Sequence, residues 1–133
     1  MQNLNKKFII EQCRNIQVMD KEESDKLRQE DEESNKPLII HNDGHKKLIE
    51  DFMNFLNGTQ NEDKKGVKKW LKKNIEKANN IVEKVDTKYN DFENDEVMNE
   101  EDEIIYYINE GVICMAYRLI DIIDKKSYVS KLK

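Results

Sequence analysis

One proline and four glycines are all the turn-forming punctuation this 133-residue chain has. A β-sandwich or barrel of this length needs a turn signal roughly every ten residues, so an all-β fold is excluded. Cysteine is nearly absent too. Cys13 and Cys114 stand far apart among apolar residues, with no Cys-x-x-Cys pair, so redox and zinc-ribbon chemistry have no footing. Both are expected to be buried free thiols. There are two histidines, neither near a candidate nucleophile in sequence, and no glycine-rich phosphate loop. The pattern therefore points away from an enzyme and calls for no cofactor. No run approaches a membrane span: the most apolar stretch, Ile104 to Ile123, is broken by Asn109, Glu110, Arg118 and Asp121. Met1 to Ile10 holds too short an apolar run for a secretion signal, so a cytoplasmic protein is expected.

What the chain has instead is charge. Charged residues make up 38% and hydrophobic residues 37%, with a net charge of −5. A lean core under a dense charged surface follows, and one domain of this size needs no staple to fold. Lysine dominates over arginine, and Asn and Ile are frequent. An AT-rich genome, whether of a bacterium, a phage or a virus, imposes this usage.

Apolar spacing divides the chain into helical segments. Leu4, Phe8, Ile9, Cys13, Ile16 and Met19 share half a helical wheel over residues 3–19. Residues 20–36 carry almost nothing apolar except Leu27. They form either a polar extension of that helix or a mobile acidic loop, and the loop is the expectation adopted. Pro37 to His41 is taken as a packed connector, and Asn42-Asp43-Gly44 as a helix start with Asp43 as cap. Leu48, Ile49, Phe52, Met53, Phe55 and Leu56 line a helix over 44–57. The stripe Val67, Leu71, Ile75, Ala78, Val82, Val85, Tyr89 and Phe92 steps by 3 and 4 through the longest segment. Ile105, Ile108, Val112, Met115, Leu119 and Ile122 repeat that rhythm over 99–126, where Gly111 marks a close helix crossing. The last residues, 127–133, form a short basic tail. The expected fold is all-α: one domain over 1–133, a mostly antiparallel bundle of about four helices with a charged loop after the first. Its predicted core is Phe8, Ile9, Cys13, Leu48, Phe52, Leu56, Leu71, Ile75, Ala78, Val82, Val85, Ile105, Ile108, Val112, Met115, Leu119 and Ile122.

Three constellations carry metal chemistry in outline. His41 and His45 flank Asp43, but a stable site wants three or four protein ligands. Residues 91–102 place acids at calcium-loop positions one, three, five and twelve. Glu96 stands where the sharp-turn glycine belongs. Glu100 with Glu103, and Asp121 with Asp124, are magnesium-type pairs resembling those of helical nucleotide pyrophosphatases. They lie about 27 Å apart on one helix, too far for one ion. None of the three is adopted as a metal site. A magnesium-dependent helical nucleotide hydrolase stays as the least favoured reading.

The charge layout is the feature left to carry function. Lys64, Lys65, Lys68, Lys69, Lys72, Lys73 and Lys77 crowd one helix face, with Trp70 at its border. Asp91, Glu93, Asp95, Glu96, Glu100, Glu101, Asp102 and Glu103 form an acidic run just beyond that helix. Solvation accounts for such faces, and so does steering toward a partner. The function expected is a small acidic binding protein that covers a larger protein, of the inhibitor or immunity and anti-defence type, with the acidic run as contact surface. The alternative is a binder of nucleic acid or an anionic surface through the lysine face. The chain's three arginines, Arg14, Arg28 and Arg118, all lie outside that face, which weakens it. A homodimer is a further possibility.

Overall fold

The computed structural model describes residues 4–58, 63–90 and 98–124. Within them the chain forms four helices: α1 (Lys6–Asp31), α2 (Lys36–Gly58), α3 (Lys64–Asn90) and α4 (Glu100–Ile123). The all-α bundle follows from the apolar stripes, each of which needs a neighbour to cover it.

Polar contacts fix the topology. Asp20 of α1 meets His45 of α2 at 3.2 Å, and the Asn42 amide of α2 donates to Ser24 Oγ of α1 at 3.1 Å, so α1 and α2 run antiparallel. Lys68 reaches Asp124 at 2.8 Å and Lys88 reaches Asp102 at 2.7 Å, so α3 and α4 are antiparallel too. Lys36 and Glu100, at the starts of α2 and α4, pair at 3.2 Å, so those two helices begin at the same end. α2 packs on α1 and α4, and α4 on α2 and α3. The central pair is thus α2 with α4.

Two glycines explain that pairing. A Cβ at Gly44 would stand 2.1 Å from the Ile108 carbonyl oxygen, and one at Gly111 would stand 2.1 Å from that of His41. The helices touch backbone to backbone here, as the reading of Gly111 anticipated. Gly44, expected at a helix start, is the other half of this contact. It lies mid-helix, because α2 begins eight residues earlier.

The main core gathers at one end. It joins Ile9, Cys13 and Ile16 of α1, Leu48 to Leu56 of α2, Val67 to Ala78 of α3 and Val112 to Ile123 of α4. Each fully buried aliphatic or aromatic side chain there contributes about 1.5–3 kcal/mol. The opposite end is thinner. Ile105, expected in the core, is 42% exposed, and Ile104 and Leu38 are exposed as well. The polar half of α1 packs on α2 and leaves that side of α4 uncovered.

Three further expectations are corrected. Most of the loop expected over 20–36 is helix, since α1 runs to Asp31 and only residues 32–35 connect it to α2. Asp31 organises that turn, accepting from the Ser34 backbone N–H at 3.2 Å and its hydroxyl at 2.8 Å. Pro37 to His41 is helical, because proline near a helix start removes only an N–H that would have had no intrahelical acceptor. Asp43 is therefore mid-helix and exposed, with no capping role. Cys114 is exposed, on the side of α4 away from the core, whereas Cys13 is buried.

Candidate functional site

The lysine face is built by α3. Asp63 starts the helix, accepting from the Gly66 N–H at 2.8 Å. Val67, Leu71, Ile75 and Ala78 then face inward and turn the intervening lysines out. Lys65, Lys69, Lys72, Lys73 and Lys77 are exposed, while Lys64 and Lys68 are half-buried. Lys68 is held by Asp124, which caps α4 and donates its own N–H to Ile120 at 2.9 Å. Lys64, Lys65, Lys68, Lys69 and Lys72 surround an open hollow of about 910 Å³, with Asp63 and Asp124 in its wall. Lys73 and Lys77 lie outside it. Trp70 is not a free ring at the border of this face. It stacks on Phe55 of α2 with centroids 4.8 Å apart and planes at 15°, and lies 5.7 Å from Phe52.

The acidic run divides. Asp91, Glu93, Asp95 and Glu96 lie outside the described residues, as does the tail at 127–133. Glu100, Glu101, Asp102 and Glu103 form the first turn of α4, where carboxylates favour the helix N-terminus. Glu100 is paired with Lys36. Asp102 accepts from Lys88 at 2.7 Å, from the Tyr89 hydroxyl at 2.7 Å and, through its N–H, is capped by Asn99. The Lys88 and Tyr89 bonds hold the Asp102 carboxyl below the usual carboxylate range. Part of this run thus fastens α4 to α2 and α3.

The histidines meet α1. Their rings contact edge to face at 4.7 Å, and His45 Nδ1 faces Asp20. Burial, then the neighbouring His45, pushes the His41 pKa down, against the pull of Asp20 and Glu23. His45 Nε2 is buried with no hydrogen-bond partner among the described residues. Nor do those residues include a group of three or more His, Cys, Asp or Glu arranged to hold a metal. Glu100 and Asp124 stand at opposite ends of α4, each committed to a lysine. A second cleft, about 320 Å³ between α1 and α2, is lined by Asp20, Lys21, Asp25, Arg28, Asn42 and Lys46 among others. In its wall Asp25 pairs with both Lys21 and Arg28, and Asp20 faces His45.

Sequence reading missed Asp63 and Asp124 as walls of the lysine hollow, and Asp20 and Glu23 as the acids facing the histidines. Only the helix-start position of Asp63 gave a signal. Among the described residues no helix is long and apolar enough to cross a membrane. No protein family, curated protein or solved structure matches the chain.

Proposed function

We infer that this is a non-enzymatic binding protein that docks by charge onto an acidic surface of a larger protein, in the manner of an inhibitor or immunity-type factor. The contact surface favoured is the lysine face of α3, in preference to the acidic run beyond it. The observation that carries this is the asymmetry of pairing. Lys65, Lys69, Lys72, Lys73 and Lys77 are exposed, with no ion-pair partner among the described residues. Glu100 and Asp102 of the acidic run are already engaged. Unpaired like charges on one rigid helix repel one another and gain when an opposite surface covers them.

Nucleic acid is the second reading, and Trp70 argues against it. Single-strand binders lay bases on exposed rings. Here the one tryptophan is spent on Phe55, and the face has no arginine for bidentate phosphate contacts.

The test compares tagged wild-type protein with a Lys69→Glu/Lys73→Glu/Lys77→Glu variant as bait in lysate of the native source. The expected result is one stoichiometric protein, released by salt and lost in the variant. Release of nucleic acid instead would favour the second reading. Retention of the same protein by the variant, with loss in Glu101→Lys/Glu103→Lys, would move the contact to the acidic run.

A further inference from the structure

The hollow at the start of α3 differs from the rest of the lysine face in shape and in fixity. Lys73 and Lys77, further along the helix, are exposed and line no part of the hollow. At the hollow, Lys64, Lys65, Lys68, Lys69 and Lys72 converge on one concavity of about 910 Å³. That volume lies within the range of small-ligand sites, though this one is polar and open where most are apolar. Among the described residues the carboxylates in its wall are Asp63 and Asp124, and both are committed. Asp63 accepts from the Gly66 N–H, and Asp124 holds Lys68 at 2.8 Å. Lys68 is thereby fixed as one rigid wall that ties α3 to the end of α4. Lys65, Lys69 and Lys72 have no ion-pair partner among the described residues, and stand around it as flexible point charges.

We propose that this hollow binds a compact, multiply charged oxyanion of phosphate-chain chemistry, held by Lys65, Lys69 and Lys72 against the fixed Lys68. A single phosphate offers too little charge to hold several ammonium groups together. A chain of phosphates spreads its charges over a similar span and accepts from each lysine. An inorganic polyphosphate and the phosphate tail of a nucleotide both supply that chemistry. Among the described residues no aromatic side chain lines the hollow, so a nucleoside attached to the chain meets no ring there. The site stands whether or not the wider lysine face docks a protein.

The test is titration calorimetry of the full chain with inorganic tripolyphosphate, with orthophosphate, and with a nucleoside triphosphate, in low and in physiological salt. Tripolyphosphate and the nucleoside triphosphate are expected to bind one per chain with similar affinity, and orthophosphate at least about tenfold more weakly. Binding should weaken with salt. Lys65→Gln/Lys69→Gln/Lys72→Gln should lose at least about tenfold in affinity. Lys73→Gln/Lys77→Gln should match wild type. All five positions are exposed, and circular dichroism of both variants checks that the fold is kept. Equal losses in the two variants would mean diffuse attraction and overturn the site. So would the absence of saturable binding. Markedly tighter binding of the nucleoside triphosphate would show that the base is read, and would overturn recognition by the phosphate chain alone. Neither variant used here is the docking variant, so failure of this site leaves the protein-docking test intact.

Discussion

A methyl group added to Gly111 would sit 2.1 Å from the His41 carbonyl oxygen, and one added to Gly44 equally close to that of Ile108. Both obstacles are helix backbone, which cannot rotate away. Alanine is favoured over glycine inside a helix by about 1 kcal/mol. Forcing two packed helices apart costs about 1–3 kcal/mol, and more against backbone than against side chains. Gly111→Ala and Gly44→Ala are therefore each expected to lose about 2 kcal/mol in urea denaturation. Gly58→Ala, with nothing within 4 Å of its Cβ, should be neutral or slightly stabilising. The cysteines form a second residue-scale contrast. Cys13 is fully buried, and burial pushes its thiol up to about 12. Cys114 is exposed, its pKa raised less by partial burial and Glu110. A thiol reagent at pH 8 should label Cys114 in the native protein and Cys13 only after unfolding. Apolar neighbours in sequence could not distinguish them, because several apolar residues of α4 lie away from the core.

Helix α1 is two elements in one. Its first half buries Ile9, Cys13 and Ile16, while its second half is held by polar contacts. The Asn42 amide donates to Ser24, Asp20 meets His45, and the Asn35 amide donates to the Leu27 carbonyl at 3.0 Å. Such bonds contribute about 1 kcal/mol each, less than core burial. Amides of residues 20–31 are expected to exchange faster than those of 9–19 in native-state hydrogen exchange. Acid should loosen the same seam. The folded-state pKa of His41 lies below its ordinary 6.5, so the unfolded chain takes up the proton first. The stability tied to neutral His41 is present above pH 6.5 and is lost as pH falls through the folded pKa. His45 on α2, and Asp20 and Glu23 on α1, are the titratable groups facing it. His41→Gln should flatten the stability profile between pH 7 and 5, read by urea midpoints. An unchanged slope would assign the acid sensitivity to other groups.

At the scale of the molecule, one apolar cluster draws on all four helices, so no helix is expected to unfold alone. Trp70, the chain's single tryptophan, sits between α2 and α3 and reports their separation. Its fluorescence and the helical circular dichroism should give coincident thermal transitions. Separate midpoints would mean that the α1–α2 and α3–α4 pairs come apart in turn. Antiparallel packing of α3 and α4 also sets the charge layout. It places the lysine-rich start of α3 beside the end of α4, and the acidic start of α4 at the opposite pole. Charge reversal at one pole should thus leave binding at the other intact.

The sequence by itself determined the helical class, the inward stripe of α3 and the lysines turned out opposite it. These depend on a period of 3.6 residues, which is local. It also determined most of the core, from Ile9 and Cys13 to Leu119 and Ile122. What it could not determine was which stripe faces which. The tertiary structure paired α2 with α4, because two glycines let their backbones touch. It left Ile105 uncovered, because the polar half of α1 packs elsewhere. It turned Trp70 inward onto Phe55, and it brought Asp124 across 56 positions to Lys68. Residues 20–31 became helix without an apolar stripe, since the polar partners that hold them are supplied by α2. Each of these depends on contacts between segments far apart in the chain, and periodicity along one segment carries no information about its neighbours.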